Sequence, residues 1–132
     1  MYLIDTNIWL ELLLKQDKAG EVASFLQTVD TSSLAITDFT LYSIGIILTR
    51  LKKFDAFKEF VEDTVEDDSI RMICLSPAEL LINISVQEQY SLDFDDAYQY
   101  VAATENGLTL VSFDRDFDGT PLSRKTPAEL IP

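Results

Sequence analysis

The sequence predicts an α/β fold with a mainly parallel sheet, on three observations. Short apolar runs alternate with helical segments along the 132 residues, the pattern of strands joined by helical crossovers. Three of the four runs end at an acid: Asp5, Asp38 and Asp114. A further acid, Asp96, opens a helical segment just upstream of the last run. In such sheets functional groups collect at the carboxyl ends of the strands, so these acids are expected on one rim. At this length the chain is expected to form a single domain, residues 1–132, with a proper core.

Met1–Ile4 reads as a buried strand, and Thr6 or Asn7 can cap a following helix over Ile8–Lys15. Ile8, Trp9, Leu12 and Leu13 there follow helical spacing. Asp17–Val29 is a second helix, with Val22, Phe25, Leu26 and Val29 on one face. Leu34–Ile36 is the second strand. Thr37–Leu51 follows as a helix apolar almost all round, which places it centrally or against a partner subunit. Gly45 weakens that helix slightly and permits close packing of another element. Asp55–Glu66 is amphipathic and ends in an acidic run (Glu62, Asp63, Glu66–Asp68) that reads as a solvated face.

Ile70–Leu75 is the third strand, and Ser76-Pro77 starts a helix that runs to about Tyr90. Ser91 or Asp93 caps the next helix, Phe94–Glu105, and Asn106-Gly107 closes it with Gly107 left-handed. Thr109–Phe113 is the fourth strand. The Gly/Pro-punctuated tail, Asp118–Pro132, offers Leu122 as a short edge strand, so four to five short strands are expected.

With no histidine, the chain has neither a Ser-His-Asp nor a Cys-His nucleophile system, nor a His-ligated zinc site. The single cysteine, Cys74, cannot form an internal disulfide and reads as a buried core thiol. No run reaches the roughly 18 uncharged apolar residues of a membrane span. Asp5 interrupts the first apolar run with no basic residue before it, so no signal peptide is read and a cytoplasmic location is expected. The formal charge of −13 gives no support for a nucleic-acid partner, since an acidic surface repels phosphate. It suits a basic protein partner.

The set Ile4–Asn7 (IDTN), Asp93–Ala103 (DFDDAYQYVAA) and Leu108–Phe117 (LTLVSFDRDF) resembles the PIN-domain family, and within it the VapC-like ribonuclease toxins. The likeness covers essentially the whole chain in order, length and element count. It implies a three-layer α/β/α, RNase H-like fold and a Mg²⁺- or Mn²⁺-dependent endoribonuclease. Such proteins are usually dimeric and often held in check by an antitoxin. By the same likeness Asp5 is the first metal ligand, supported by Thr6 or Asn7, and Asp96 is the helix-borne acid before Ala97. Asp114 and Asp116 are the pair after the last core strand. Asp5, Asp96 and Asp114 form the expected catalytic set, with Asp116 as a fourth ligand. One position departs: Thr40-Leu41-Tyr42-Ser43-Ile44 places Ser43 where the family has Glu. Either Asp38 compensates from the same rim, or the protein is a catalytically weakened PIN-fold binding or scaffold module.

Divalent cations suit such an oxygen set, because Mg²⁺ and Mn²⁺ take few carboxylates and retain waters. They can activate water and neutralise charge on a phosphodiester. Asp93 is expected as helix cap and Asp95 as solvent-facing, whereas Asp116 reads equally as ligand or turn residue. Arg115, between two candidate ligands, is a candidate RNA contact and equally a candidate ion-pair partner of a neighbouring Asp. The helix at Thr37–Leu51, with Phe54 and Phe57 close by, is the candidate dimer or antitoxin surface. A dehalogenase-like phosphatase needs D-x-D after the first strand, where this chain has Asp5-Thr6-Asn7. A response-regulator receiver needs an acidic pair there and a late-strand lysine, and neither occurs.

Overall fold

A computed structural model of the chain describes residues 1–66 and 69–132. Asp67 and Asp68 of the expected acidic run lie outside the described residues. Four strands form one parallel sheet: β1 (Tyr2–Ile4), β2 (Leu34–Thr37), β3 (Arg71–Ile73) and β4 (Thr109–Val111), in the order β3-β2-β1-β4. Between β1 and β2 lie α1 (Thr6–Leu13) and α2 (Ala19–Thr28). Between β2 and β3 lie α3 (Asp38–Arg50) and α4 (Phe54–Val61). The third crossover, α5 (Pro77–Tyr90) and α6 (Phe94–Glu105), carries the chain past β2 and β1 to the opposite edge.

That reversal puts helices on both faces, since right-handed crossovers running in opposite directions along a sheet cover opposite sides. The alternation of side chains along each strand shows it. Ile4, Leu34, Ile36 and Val111 pack with Ile8, Trp9, Val22, Phe25, Ile44, Leu48 and Phe60 of α1 to α4. Leu3, Ala35, Ile73 and Leu110 pack with Ala102 and Ala103 of α6 and with Phe117. This is the expected α/β/α sandwich. Small residues on α6 let that helix lie close to the sheet, which brings its N-terminal turn to the rim where β1 and β4 end.

Several boundaries moved for identifiable reasons. α1 starts at Thr6, not Ile8, because Asp5 is itself the cap: its Oδ1 accepts from the Thr6 backbone N–H at 2.8 Å. Ser76 and Glu79 form a reciprocal capping box at α5, with Pro77 in the first turn. Gly107 has the left-handed φ of 62° expected of it. No strand forms at Leu122 among the described residues. Instead Lys125 makes a single parallel bridge to Val111, its N–H donating to the Leu110 carbonyl and its carbonyl accepting from Ser112. The tail thus covers the open edge of β4, and a four-residue helix, α7 (Pro127–Leu130), follows it.

Cys74 is exposed, not a core thiol, because β3 stops at Ile73 and the next side chain leaves the packed layer. α3 is two-sided. Thr40, Ile44, Gly45 and Leu48 are buried, while Tyr42 is 64% and Ile46 52% exposed. The Phe57 ring of α4 lies where a Cβ on Gly45 would be, 2.8 Å from its ζ carbon, so glycine permits this close approach. Phe57 is therefore half-buried packing, whereas Phe54 stands 60% exposed.

Candidate metal centre

The carboxyl ends of β1 and β4 and the first turn of α6 meet around a cleft of about 370 Å³. Asp5, Thr6, Asn7, Asp96, Gln99 and Asp114 supply its polar wall, and Leu10, Phe39, Ile46 and Ile47 its apolar wall. Ser43 and Asp95 complete the lining.

Asp5 is 6% exposed, and both its oxygens are engaged by neutral donors. Oδ1 accepts from the Thr6 N–H and from Gln99 Nε2 at 3.0 Å; Oδ2 accepts from Ser112 Oγ at 2.7 Å and Asn7 Nδ2 at 3.3 Å. Burial pushes its carboxyl above the usual range, the Ser112, Gln99 and Thr6 hydrogen bonds pull the other way, and the Asp114 charge adds to the rise. Ser112 is saturated in turn, accepting from Asn7 Nδ2 (3.1 Å) and the Asp114 N–H (3.0 Å). Asn7 Oδ1 accepts from the Phe113 N–H at 3.1 Å, tying the start of α1 to the end of β4.

Asp96, Asp114 and Asp116 are arranged differently. One oxygen from each lies within 4.8 Å of the others. Asp93 caps α6, accepting from the Asp96 N–H at 2.9 Å, which leaves the Asp96 side chain to the cleft. Asp114 caps a 3₁₀ turn over Arg115–Gly119 by accepting from the Asp116 N–H at 2.8 Å. Arg124 braces that turn: Nε and Nη2 donate to Asp118 at 2.9 and 3.0 Å, and Nη1 donates to the Ser112 carbonyl at 3.1 Å. Burial first, then the charges of Asp114 and Asp93, a hydrogen bond to Asp114 and the Asp5 charge push Asp96 up to about 8. No cation offsets this repulsion among the described residues. An all-oxygen set of this density fits a hard divalent cation.

The structure thus brings Asp5, Asp96 and Asp114 into one cleft, with Asp116 exposed at its edge. Thr6 and Asn7 stand beside Asp5 as expected, and Ser43 lines the same cleft without bringing a charge. Asp38 does not line the cleft. Its Oδ1 accepts from the Tyr98 hydroxyl at 2.6 Å and from the Phe39 N–H, which holds it at the end of β2. Arg115 is exposed and makes no ion pair among the described residues. Asp95 is solvent-facing at the cleft mouth.

Sequence reasoning passed over Gln99, Ser112, Thr37 and Thr40, all buried and all joined to Asp5 directly or through one another. A signal existed for Gln99. It lies three residues after Asp96 on a helix whose next positions, Val101, Ala102 and Ala103, are small or apolar, so a polar residue on the inward face needs partners.

A model of the PIN domain family matches residues 2–121. Among solved structures, a toxin–antitoxin complex from Klebsiella pneumoniae is 22% identical over 96% of this chain and 98% of that one, with a TM-score of 0.78. FitAcB from Neisseria gonorrhoeae is 19% identical over 96% and 98%, with a TM-score of 0.81. VapC20 from Mycobacterium tuberculosis, described as a sarcin-ricin loop cleaving toxin, is 14% identical over 96% and 100%, with a TM-score of 0.82. These likenesses show the fold. No curated protein sequence matches the chain.

Proposed function

The chain belongs to the PIN-domain family, and on that premise we propose that it is a Mg²⁺- or Mn²⁺-dependent endoribonuclease, the toxin of a toxin–antitoxin pair. The observation that carries this reading is the convergence of Asp96, Asp114 and Asp116 beside Asp5 in one cleft. A divalent cation bound there supplies Lewis acidity, both for deprotonating water and for neutralising charge on the phosphoryl oxygens.

The chain's own residues do the rest. Asp96, Asp114 and Asp116, together with Asp5 in the same cleft, would hold the cation, and Asp5 is kept in place by four neutral donors. The apolar wall of Leu10, Phe39, Ile46 and Ile47 seats a base or ribose and keeps bulk water away from the phosphodiester. In the hydrolysis a bond forms between water oxygen and phosphorus, one ribose-oxygen–phosphorus bond breaks, and the departing oxygen takes up a proton. Burial and the neighbouring acids favour the protonated form of the Asp96 carboxyl, so cation uptake there would compete with a proton. Arg115, exposed next to two of the acids, is placed to meet a flanking phosphate. The outward side of α3 at Tyr42, with Leu51 and Phe54, is the surface we assign to an antitoxin or to a second copy of the chain.

Cleavage of a mixed RNA pool, with and without Mn²⁺, tests this beside Asp96→Asn and Asp114→Asn proteins. Cutting that needs the metal and disappears in both variants supports the nuclease. Folded, partner-free protein that leaves RNA intact moves the conclusion to a PIN-fold binding module, a reading favoured by the uncharged Ser43 in the cleft wall.

A further inference from the structure

Behind Asp5 lies a chain of neutral side chains whose hydrogen bonds all run one way. Thr37 Oγ1 accepts from the Thr40 N–H at 3.0 Å and donates its proton to Gln99 Oε1 at 2.8 Å. This fixes the Gln99 amide. Its Nε2 must face Asp5 Oδ1 at 3.0 Å and Thr40 Oγ1 at 2.9 Å, and the reverse orientation would set a carbonyl oxygen against a carboxylate. Thr40 Oγ1 therefore accepts from Gln99, and its own proton has one neighbour able to take it among the described residues, Thr6 Oγ1 at 2.9 Å. Thr40 is fully buried, so withholding that proton would leave a buried donor unmade.

The consequence falls on Thr6. Its oxygen already accepts from Thr40, its proton has no acceptor among the described residues, and its side chain lines the cleft. Asn7 and Ser112 spend their donors on one another and on Asp5, and Gln99 on Asp5 and Thr40. We propose that the Thr37–Gln99–Thr40 relay commits the Thr6 hydroxyl as a donor into the cleft, where it binds an anionic oxygen of the phosphodiester. Thr6 is then a substrate-binding residue, and Gln99 and Thr40 are positioning residues that act through it. The inference rests on the ribonuclease reading for the identity of the ligand.

The test pairs cleavage with binding. Thr6→Val keeps the shape and removes the hydroxyl; Thr6→Ser keeps the hydroxyl and removes the methyl. Each is compared with wild type for RNA cleavage in Mn²⁺ and for affinity to an oligoribonucleotide with Ca²⁺ in place of Mn²⁺, its integrity checked after binding. A hydroxyl bonded to a charged oxygen predicts a loss of roughly ten- to a hundredfold in kcat/KM and in affinity for Thr6→Val, with both restored in Thr6→Ser. Unchanged values in Thr6→Val overturn the proposal, and so does an equal loss in Thr6→Ser. Should Thr6→Val not fold, Thr6→Ala carries the same comparison. Wild type that binds the oligonucleotide but cuts nothing removes the nuclease reading while the binding arm still decides on Thr6. Wild type that neither binds nor cuts overturns both.

Discussion

Two groups of carboxylate oxygens sit side by side on this rim and are treated in opposite ways. Asp5 is more buried than any other acid here, yet every donor around it is neutral and aimed at it. Asp96, Asp114 and Asp116 are less buried, but they face one another, and Asp96 is raised mainly by burial and by acids. The first arrangement is complete without any added ion. The second stores repulsion that only protons or a cation can relieve. One carboxylate is therefore held by neutral donors at the cleft wall, and three face one another beside it.

The sharpest way to break this contrast is Asp114→Asn, which leaves the Asp5 pocket in place and removes the charge central to the acidic trio. RNA cleavage in Mn²⁺ should fall by about a thousandfold or more, given the several kcal/mol that a metal contributes to such chemistry. Folding should survive, because an Asn side-chain oxygen can still cap the 3₁₀ turn. A variant that unfolds would show that the Asp114 charge is needed for the fold itself.

Asp5→Ala is the converse. It removes the acceptor of the Ser112 hydroxyl, a Gln99 N–H and the Thr6 N–H at a nearly fully buried position. We expect a loss of about 3 kcal/mol or more in urea unfolding at unchanged m-value, since each unmade buried bond costs about 1–3 kcal/mol. A loss under about 1 kcal/mol would show that the network reorganises, and that its saturation in the folded state does not hold Asp5 in place.

Titration separates the two groups more finely. The Asp96 carboxyl rises to about 8 in the folded protein from an ordinary value of 3.8, so the native state binds an extra proton between those limits. Its contribution to stability is complete below about pH 4 and is lost as pH rises toward 8. The metal-free protein should therefore weaken from pH 5 to pH 8 relative to Asp96→Asn, which lacks that slope. At pH 8 the variant should be more stable than wild type by about 1 kcal/mol after allowance for solvent screening. Saturating Mn²⁺ should erase the difference in slope. Thermal melts at several pH values, with and without the cation, would show it, and parallel curves for the two proteins would remove the stored repulsion.

The same contrast marks what could be read from the sequence. The trio was legible because acids at strand ends and helix starts stand out against apolar runs, and Phe94–Glu105 and Pro77–Tyr90 carry their own caps and stops. The neutral network was not. Thr37, Thr40 and Ser112 look like ordinary cap and strand-end residues, and nothing in local spacing says that β2, α3, α6 and β4 deliver them to one carboxylate. The partner of Asp38 was hidden for the same reason. Asp38 ends a strand as Asp5 does, but Tyr98, sixty residues later, captures it. Cys74 misled because an apolar run does not reveal where the strand inside it stops.

The smallest effect tests the seam between the groups. Ser112 belongs to both: its hydroxyl donates to Asp5, accepts from the Asp114 N–H, and its carbonyl is held by Arg124. Arg124 is largely covered, but its partner Asp118 is 57% exposed, so the ion pair itself adds little. Arg124→Met keeps much of the apolar stem and removes the fork. The expected cost is about 1 kcal/mol, mostly from the Ser112 carbonyl bond and the packed stem. The Asp5 pocket has its own donors and should keep its geometry. The 3₁₀ turn carrying Asp114 and Asp116 would loosen, so affinity for Mn²⁺ should fall several-fold, within the about 10- to 100-fold range of lost supporting contacts. Calorimetric titration with Mn²⁺ reads this directly. Unchanged affinity would mean that the Asp114–Asp116 turn is held by its own cap, and that the acidic trio is as self-sufficient as the pocket beside it.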